Sequence, residues 1–481
     1  MEGFIIFFVN LDKSNKEDFL YQQLYKEIKR AILNQELKEG EKLPSKRTFA
    51  DQLNVSVNTI TNAYEQLLVE GYIYAIERSG YFVEKITQLS EQHNDPSHDL
   101  PKKLKEKKEN EQSGWLSLSH IGTDIELFSF KEWFKCQQLA IDNHSSEFEY
   151  ISHQQGPYTV RETIANMIKM TRSVECEPEQ IVLSVGTQAL MSQLLGLLQR
   201  EHNRPVDIAV ENPGYVRLYH LMKQKGANVI PIEVDEDGID TEAVDQSDPD
   251  LVFVTPSHQF PTGAIMSISR RIELLNWIVQ KPDRYIIEDD YDSEFKYQTD
   301  NIPSLQSLDG EQRVIYMGSF SKSLLMGFRI SYMVLPFPIL EKYREHYKHL
   351  LPLNDMLSLF TLHEFIQKGS YMQHVRRMNQ HYEKQRQTLV DALEKKFGDD
   401  LSIHDVPAGL HFIATFKTHK SYEQIEADLT RYKLDANTIR RFYIQDEPTN
   451  NGSVSLVIGF AALKKRSINQ AVDRLHHVIY T

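Results

Sequence analysis

Leu20, Leu24, Ile28 and Ile32 recur every four residues through an otherwise polar stretch, the spacing that lines one face of a helix. Beyond Gly40, Pro44 precedes Ser45, a candidate N-cap, and Phe49, Ala50 and Leu53 supply the apolar side of a short second helix. Asn54 and Val55 make a turn. Ser56 then caps a third helix to about residue 70, with Ile60, Tyr64, Leu67 and Leu68 on its core face and Gly71 as its stop. Residues 72–74 and 81–83 are β-prone and flank Glu77-Arg78-Ser79-Gly80, so a hairpin with a basic tip follows. Three helices and a hairpin predict a winged helix-turn-helix within residues 1–85.

Residues 86–112 turn polar and carry a lysine-rich run at 102–108, which reads as a linker. Past it, uninterrupted apolar runs at 207–211, 251–255, 285–288, 314–318 and 330–335 alternate with helical patterns such as 271–280. Runs without a polar face belong to strands buried on both sides, so 113–481 predicts an α/β domain with a mostly parallel sheet. From about 370 the pattern changes to a long polar helix (372–397), strands at 410–416 and 455–460, and a last helix from 467. That order predicts a smaller α+β subdomain over about 370–481.

With 41% hydrophobic and 25% charged residues, the 481-residue chain is neither collagen-like, low-complexity nor wholly disordered. Its apolar start at 4–9 falls far short of the roughly 20 residues of a membrane helix and lacks a basic flank, so the expected location is the cytoplasm. Cys136 and Cys176 have no metal or disulfide spacing and read as core residues. The net charge of −14 argues against coating nucleic acid by bulk charge; residues 1–85 are close to neutral, with 11 Lys plus Arg against 13 Asp plus Glu. Any DNA contact is therefore local.

A helix that enters a major groove needs short polar side chains near its start and positive groups beside it. Lys46 and Arg47 open the second helix, Ser56, Asn58, Thr59 and Thr61 crowd the start of the third, and Arg78 stands at the hairpin tip. The alternative is a set of solvated helix faces. The segments Leu43-Pro44-Ser45-Lys46-Arg47, Asn54 to Thr59, Leu67 to Ile73 and Gly80 to Val83 resemble GntR-type winged helix-turn-helix domains. That resemblance implies double-stranded DNA as partner, and the near-neutral charge then calls for paired half-sites and a dimer.

In the larger region, several residues together suit a phosphorylated pyridine aldehyde. Lys322 follows a buried strand, where a desolvated amine can form a Schiff base. Asp289 ends another strand, where a carboxylate can hold a pyridinium nitrogen, and Tyr291 stands two residues on, in reach of a ring hydroxyl. Gly186-Thr187-Gln188 opens a helix whose free N–H groups can cradle a phosphate, with Arg329, Ser319 and Ser321 as further donors. Tyr215 follows a strand and can stack on a flat ring. Each residue alone also fits a plain surface or packing role.

Taken in order, residues 115–481 resemble fold-type I aminotransferases, which carry pyridoxal 5′-phosphate. Asp289-Asp290-Tyr291, Ser319-x-Ser321-Lys322 and Arg329 are the matching motif. The pairing with a GntR-type domain is similar to MocR/GabR-type transcriptional regulators, and the stretches 255–263 and 286–295 carry that likeness. The resemblance implies Lys322 for the Schiff base, Asp289 for the ring nitrogen, Tyr291 for the ring oxygen and Tyr215 for stacking. It also implies Arg217 and Arg441 as a carboxylate-binding pair, with Arg440 as the neighbour that competes for the second role. Further implications are γ-aminobutyrate as effector, exchanged onto the cofactor as an external aldimine, and a head-to-tail, domain-swapped homodimer. The output would be activation of γ-aminobutyrate catabolic genes and repression of the regulator's own gene. Before Pro261 the chain has Phe260 where many aminotransferases have an asparagine, with His258 or Gln259 as substitutes; this favours a sensor over a catalyst. The competing class is a working aminotransferase with an accessory N-terminal module, Lys322 serving as its acid/base. A Ser319-x-x-Lys322 acyl-transfer pair lacks its partner motifs.

Overall fold

The computed structural model describes residues 11, 19–86, 104, 114–297, 302–404 and 408–481. The chain forms two compact units, Met1–Lys108 and Glu109–Thr481. The expected linker at 86–112 lies outside the described residues except for Ile86 and Leu104.

The first unit runs α1 (Leu20–Leu33), α2 (Lys46–Leu53), α3 (Val57–Val69), β1 (Ile73–Ile76) and β2 (Gly80–Val83). Ser45 caps α2 by accepting from the Thr48 N–H, and Asn54 ends it at φ 48°, a left-handed turn that asparagine tolerates. Ser56 caps α3 in the same way through Thr59. Leu24, Ile28 and Ile32 of α1 meet Phe49, Ala50, Ile60, Ala63, Tyr64 and Leu67 in one core, closed by Ile73 and Val83 of the antiparallel hairpin. Leu68 departs from the expected face: it is 39% exposed, because the buried stripe of α3 follows positions 60, 63, 64 and 67 and leaves 68 at its edge.

The second unit starts with β3 (Leu116–Ser117), α4 (Phe130–His144), α5 (Tyr158–Arg172), β4 (Ile181–Ser184), α6 (Thr187–His202) and β5 (Asp207–Asn212). It continues with α7 (Val216–Gln224), β6 (Asn228–Asp235), β7 (Gly238–Ile239), α8 (Thr241–Ser247), β8 (Leu251–Val254), α9 (Ile268–Val279) and β9 (Tyr285–Asp290). Then come β10 (Val314–Ser319), β11 (Ser331–Val334), α10 (Phe337–His346), α11 (Met356–Gln367) and α12 (Ser370–Phe397). The last elements are β12 (Leu401–His404), β13 (His411–Lys417), α13 (Tyr422–Arg431), β14 (Leu434–Asp435), β15 (Asn437–Thr438), β16 (Ser453–Gly459) and α14 (Ile468–Tyr480).

Eight strands pair in the order β4-β11-β10-β9-β8-β5-β6-β7, with β11 and β7 antiparallel to their neighbours and the rest parallel. Alternate residues serve two helical layers: Ile181, Leu183, Tyr316 and Tyr332 pack with α4, α5 and α11, whereas Val182, Ile315, Met317 and Met333 pack with α6 and α10. This two-sided burial is why the strands read as continuous apolar runs. A second, antiparallel sheet, β12-β13-β16-β15, carries α12, α13 and α14 on a separate core. β3 pairs with β14, so the start of this unit is tied to its last third. Among the described residues, no helix is long and apolar enough to cross a membrane. Cys136 and Cys176 are free thiols, the first buried and the second half-buried.

One ion pair anchors the active edge of the large sheet. Arg172, at the end of α5, is 4% exposed and donates from Nε to Asp290 at 2.6 Å, from Nη1 to Ile302 O and from Nη2 to Ser257 Oγ. Tyr316 donates to the same carboxylate at 2.5 Å. Removing one member of a buried pair strands the other charge, at a cost of about 3–5 kcal/mol. Arg172→Met should therefore destabilise the second unit by about that much in urea unfolding; a loss below about 1 kcal/mol would mean that this ion pair contributes little to the fold.

Candidate functional site

The parallel strands deliver their C-terminal ends to one edge, where α/β proteins bind ligands. Asp289 is at the end of β9, opposite Met317 of β10, and Ser319 ends β10 just before Lys322. Tyr215 follows β5, and Gly186 lies between β4 and α6.

Asp289 is 5% exposed and, among the described residues, its Oδ1 has no hydrogen-bond partner. Burial first, then the charges of Asp290, Asp292 and Glu211, raise its pKa from the ordinary 3.8 to about 8. Lys322 moves the opposite way, down to about 8, because burial disfavours its ammonium form; the Asp292 charge offsets this in part. Its Nζ donates to His120 O and lies 3.4 Å from Ile121 O. Tyr291 is held well above the ordinary phenol range by burial and by Asp292, Asp289 and Glu211, so it keeps its proton.

Gly186 is the N-cap of the 16-residue α6, with Thr187 and Gln188 as its first residues. The helix begins at Thr187, so the Gly-Thr-Gln segment is its opening turn. At φ 121° only glycine is comfortable, and a Cβ there would run into the Arg329 guanidinium. Arg329, in a left-handed turn at φ 50°, thus lies against the free N–H groups of a helix start. Ser319 Oγ is 3.0 Å from Ser321 Oγ and accepts from Ser331 Oγ at 2.9 Å. Tyr215 is 36% exposed, with its phenol raised by burial and by Asp289 against the pull of Arg217 and Arg329. Its ring meets Phe260 edge-on at 6.1 Å.

His120 joins these groups to the two arginines. Burial lowers its pKa to about 3, and the charges of Lys322, Arg217 and Arg441 push in the same direction. Its ring packs on Phe260 and Phe442, at 5.1 and 5.2 Å. Arg217 and Arg441 are both exposed; Arg441 donates to Asn437 Oδ1 at 2.6 Å and lines a cavity of about 560 Å³. Arg440 lines the same cavity, but its guanidinium is bound by Glu423 and Glu447. Gln259 is also withdrawn: its amide nitrogen bonds Pro213 O and Phe260 O at 2.9 and 2.7 Å, and its oxygen accepts from Thr262. His258 instead lies 2.9 Å from Tyr291 Oη and 3.0 Å from Asp292.

The structure thus gathers Lys322, Asp289, Tyr291, Tyr215, Gly186, Thr187, Gln188, Ser319, Ser321, Arg329, Arg217 and Arg441 about one edge. His120, Asn437, Asp292 and Glu211 were not among the residues the sequence singled out. No local pattern marks them: His120 meets Lys322 across 202 positions of chain.

In the first unit, Arg47, Asn58 and Arg78 are exposed, Arg78 at φ 59° on the hairpin tip. Thr61 is half-buried. Lys46 is partly committed, 4.0 Å from Glu65 and over the Tyr81 ring at 5.3 Å. The Ser56 and Thr59 hydroxyls bond each other at 2.8 Å, and Ser56 also caps α3, which occupies both.

A large, mostly parallel sheet with a lysine, a buried acid and a helix start at its ligand edge defines an aminotransferase-like domain. The comparisons agree. Residues 124–475 match the profile "Aminotransferase class I and II", and residues 20–83 match "Bacterial regulatory proteins, gntR family". The chain is 35% identical over 463 residues, 95% of its own length and 96% of the other, to YdeL of Bacillus subtilis (strain 168), described as an uncharacterized HTH-type transcriptional regulator. It is 28% identical over 480 residues, 95% and 93% of the two chains, to MocR of Rhizobium meliloti, a probable rhizopine catabolism regulatory protein. Among solved structures, an archaeal alanine:glyoxylate aminotransferase superposes with TM-score 0.67 at 23% identity over 77% of this chain and 92% of that one. Kynurenine aminotransferase of Pyrococcus horikoshii gives TM-score 0.67 at 20% identity over 80% and 98%. The chain belongs to the aminotransferase class I and II family and, with its gntR-family domain, to the MocR-type HTH transcriptional regulators. Pyridoxal phosphate is the cofactor of this class, and the residues fit it: an unpartnered buried acid, a desolvated lysine, and a glycine whose missing side chain leaves an arginine beside a helix start.

Asp289 gives the site a pH signature. A carboxyl whose folded pKa is raised binds more protons in the native state, so stability is lost as pH rises from about 4 toward about 8. In the cofactor-free protein Asp289→Asn should flatten the fall in melting temperature across that window; the buried Glu211, Glu288 and Glu294, each raised to about 7, keep part of the slope. An unchanged slope would show that Asp289 is solvated.

Proposed function

We propose that the protein is a pyridoxal phosphate-dependent regulator that senses a small amino acid, γ-aminobutyrate foremost, through its aminotransferase-like domain. The placement of His120 carries this reading: its carbonyl takes the Lys322 amine and its ring packs on Phe442, the neighbour of Arg441, so a reactive amine and a guanidinium flank one residue, as a ligand with an amine at one end and an acid at the other requires. The names of relatives lend general support: regulators such as TauR of Rhodobacter capsulatus and PdxR of Corynebacterium glutamicum share this chain's architecture over about four-fifths of its length.

When bound, pyridoxal phosphate supplies an aldehyde carbon that is joined to one amine at a time. Lys322 provides the resident amine, and a pKa near 8 leaves a usable unprotonated fraction at neutral pH. Asp289 holds the proton of the ring nitrogen. Tyr291 donates to the ring oxygen, and Tyr215 covers a ring face. The N–H groups at Gly186, Thr187 and Gln188, together with Ser319, Ser321 and Arg329, bind the phosphate. Arg217 and Arg441 orient the ligand's carboxylate. Phe260 in place of a polar contact favours sensing over turnover. The regulator would act in the cytoplasm as a head-to-tail, domain-swapped homodimer on paired half-sites. It would activate genes for γ-aminobutyrate catabolism and repress its own.

Purified protein incubated with the cofactor should show a visible absorption band that Lys322→Ala abolishes. γ-Aminobutyrate should perturb that band, and Arg441→Gln should raise the concentration needed by about tenfold or more, the worth of a charged hydrogen bond. A parent protein without the band defeats the sensor reading, a response to other amino acids alone defeats γ-aminobutyrate, and steady turnover with a keto acid favours the aminotransferase. On the DNA side, Arg47→Ala should weaken operator binding and lower the salt slope by about one while leaving the spectrum alone. Unaltered binding removes Arg47 from the interface.

A further inference from the structure

His258 lies at the base of the site with no role assigned so far. It is 3% exposed, and its Nδ1 is 3.0 and 3.2 Å from the two oxygens of Asp292, itself 2% exposed, and 2.9 Å from Tyr291 Oη. Among the described residues, Nε2 has no hydrogen-bond partner. Gly409 comes so close to the imidazole that a side chain there would overlap it, which fixes the ring plane. The other groups that face this cluster are His411, with ring centroids 4.9 Å apart and its own Nε2 on Pro261 O at 3.1 Å, and Lys322, whose ammonium feels the Asp292 charge. Asp289 and Glu211 act on the Tyr291 phenol from the far side.

This geometry allows one neutral tautomer at low cost. A bare Nδ1 would point its lone pair at two carboxylate oxygens while a buried Nε2–H went unbonded, a cost of roughly 1–3 kcal/mol for the stranded donor alone. Placing the proton on Nδ1 removes both penalties, leaving only an Nε2 lone pair without a partner. Nδ1–H then faces the phenol oxygen as well, so that oxygen accepts, and Asp292, already engaged by Nδ1–H, competes for the phenol's own proton with whatever acceptor the site offers.

We propose that His258, fixed as its Nδ1–H tautomer by Asp292, is a positioning residue that orients the Tyr291 phenol so that its proton is presented to the cofactor's ring oxygen. The inference rests on the reading that Tyr291 faces that oxygen. Phe260 occupies the place from which many aminotransferases offer an asparagine. The Asp292–His258–Tyr291 chain supplies the missing polar order from behind the phenol, without touching the cofactor.

Two measurements separate this proposal from the reading beneath it. In full-length, cofactor-free protein labelled with ¹⁵N-histidine, His258, assigned by its loss in His258→Asn, should be protonated at Nδ1 only, and Asp292→Asn should move it toward the Nε2–H form. An Nε2–H tautomer in the parent overturns the proposal. In loaded protein, the pH midpoint of the visible band should rise in His258→Leu by about half a unit to one unit, the worth of one hydrogen bond. The rise follows because a ring oxygen that loses its donor holds a nearby proton more tightly. His258→Asn, whose amide N–H replaces Nδ1–H, should restore the midpoint. A leucine variant with the parental midpoint, or an asparagine variant as shifted as the leucine one, overturns the proposal; a parent without any band overturns the cofactor reading instead, while the tautomer result stands.

Discussion

The large unit turns on one unsatisfied buried acid. Three acids stand in a row at the end of β9, and the strand's alternation separates them. Glu288 accepts from Leu305 N and Gln306 N, both at 2.9 Å, and Asp290 is bound by Arg172 and Tyr316. Asp289, on the opposite face, has an oxygen with no partner. Two of the acids therefore lock the sheet edge in place, and the third is held in the pocket, dry and uncompensated. A buried acid without a partner costs stability, and a fold retains it most readily when a ligand completes it. The protonated ring nitrogen of pyridoxal phosphate is a group of that kind.

The same edge explains why so much was legible from sequence. Ser319, Ser321 and Lys322 are near neighbours in the chain, as are Asp289 and Tyr291, so a strand end presents them together and a motif reveals them. The central strands announced themselves because both faces are dry. β4 and β6 did not: β4 was missed although its four residues are as buried as those of β8, and β6 has one buried residue, Ile232, among half-buried and exposed ones. The first unit was legible because its caps and turns are local, with Ser45, Asn54 and Ser56 each acting within a few residues. What sequence hid is the contact made by folding. His120 reaches Lys322 across most of the unit, and the choice between Arg440 and Arg441 depends on where Glu423 and Glu447 lie.

Capping also limits the DNA-facing surface. A hydroxyl that closes a helix has its geometry set by that helix, and the Ser56–Thr59 pair is bound to itself. Under the proposed DNA-binding reading, base contacts would fall to side chains with open ends, such as Asn58 and Arg47. Non-specific attraction is weak in a nearly neutral domain, so affinity has to come from geometry repeated over two half-sites.

A regulator further needs its ligand to prefer one arrangement of the protein over another. The site's composition offers a way. Lys322, Asp289 and Tyr291 belong to the large sheet, whereas His411 lies on β13 of the small sheet and Arg441 follows β15. Between the lysine and Arg441 lies His120, whose carbonyl takes the lysine amine and whose ring packs on Phe260 and Phe442. A ligand with its amine at Lys322 and its acid at Arg441 would be bonded to both sheets at once, strongly only when their separation matches its length. An amine without the acid, or a longer acid, would gain one contact and forfeit the other. Under this arrangement selectivity and signal have one physical origin, the distance between two sheets, and a ligand that cannot set that distance can occupy the pocket without reporting its presence.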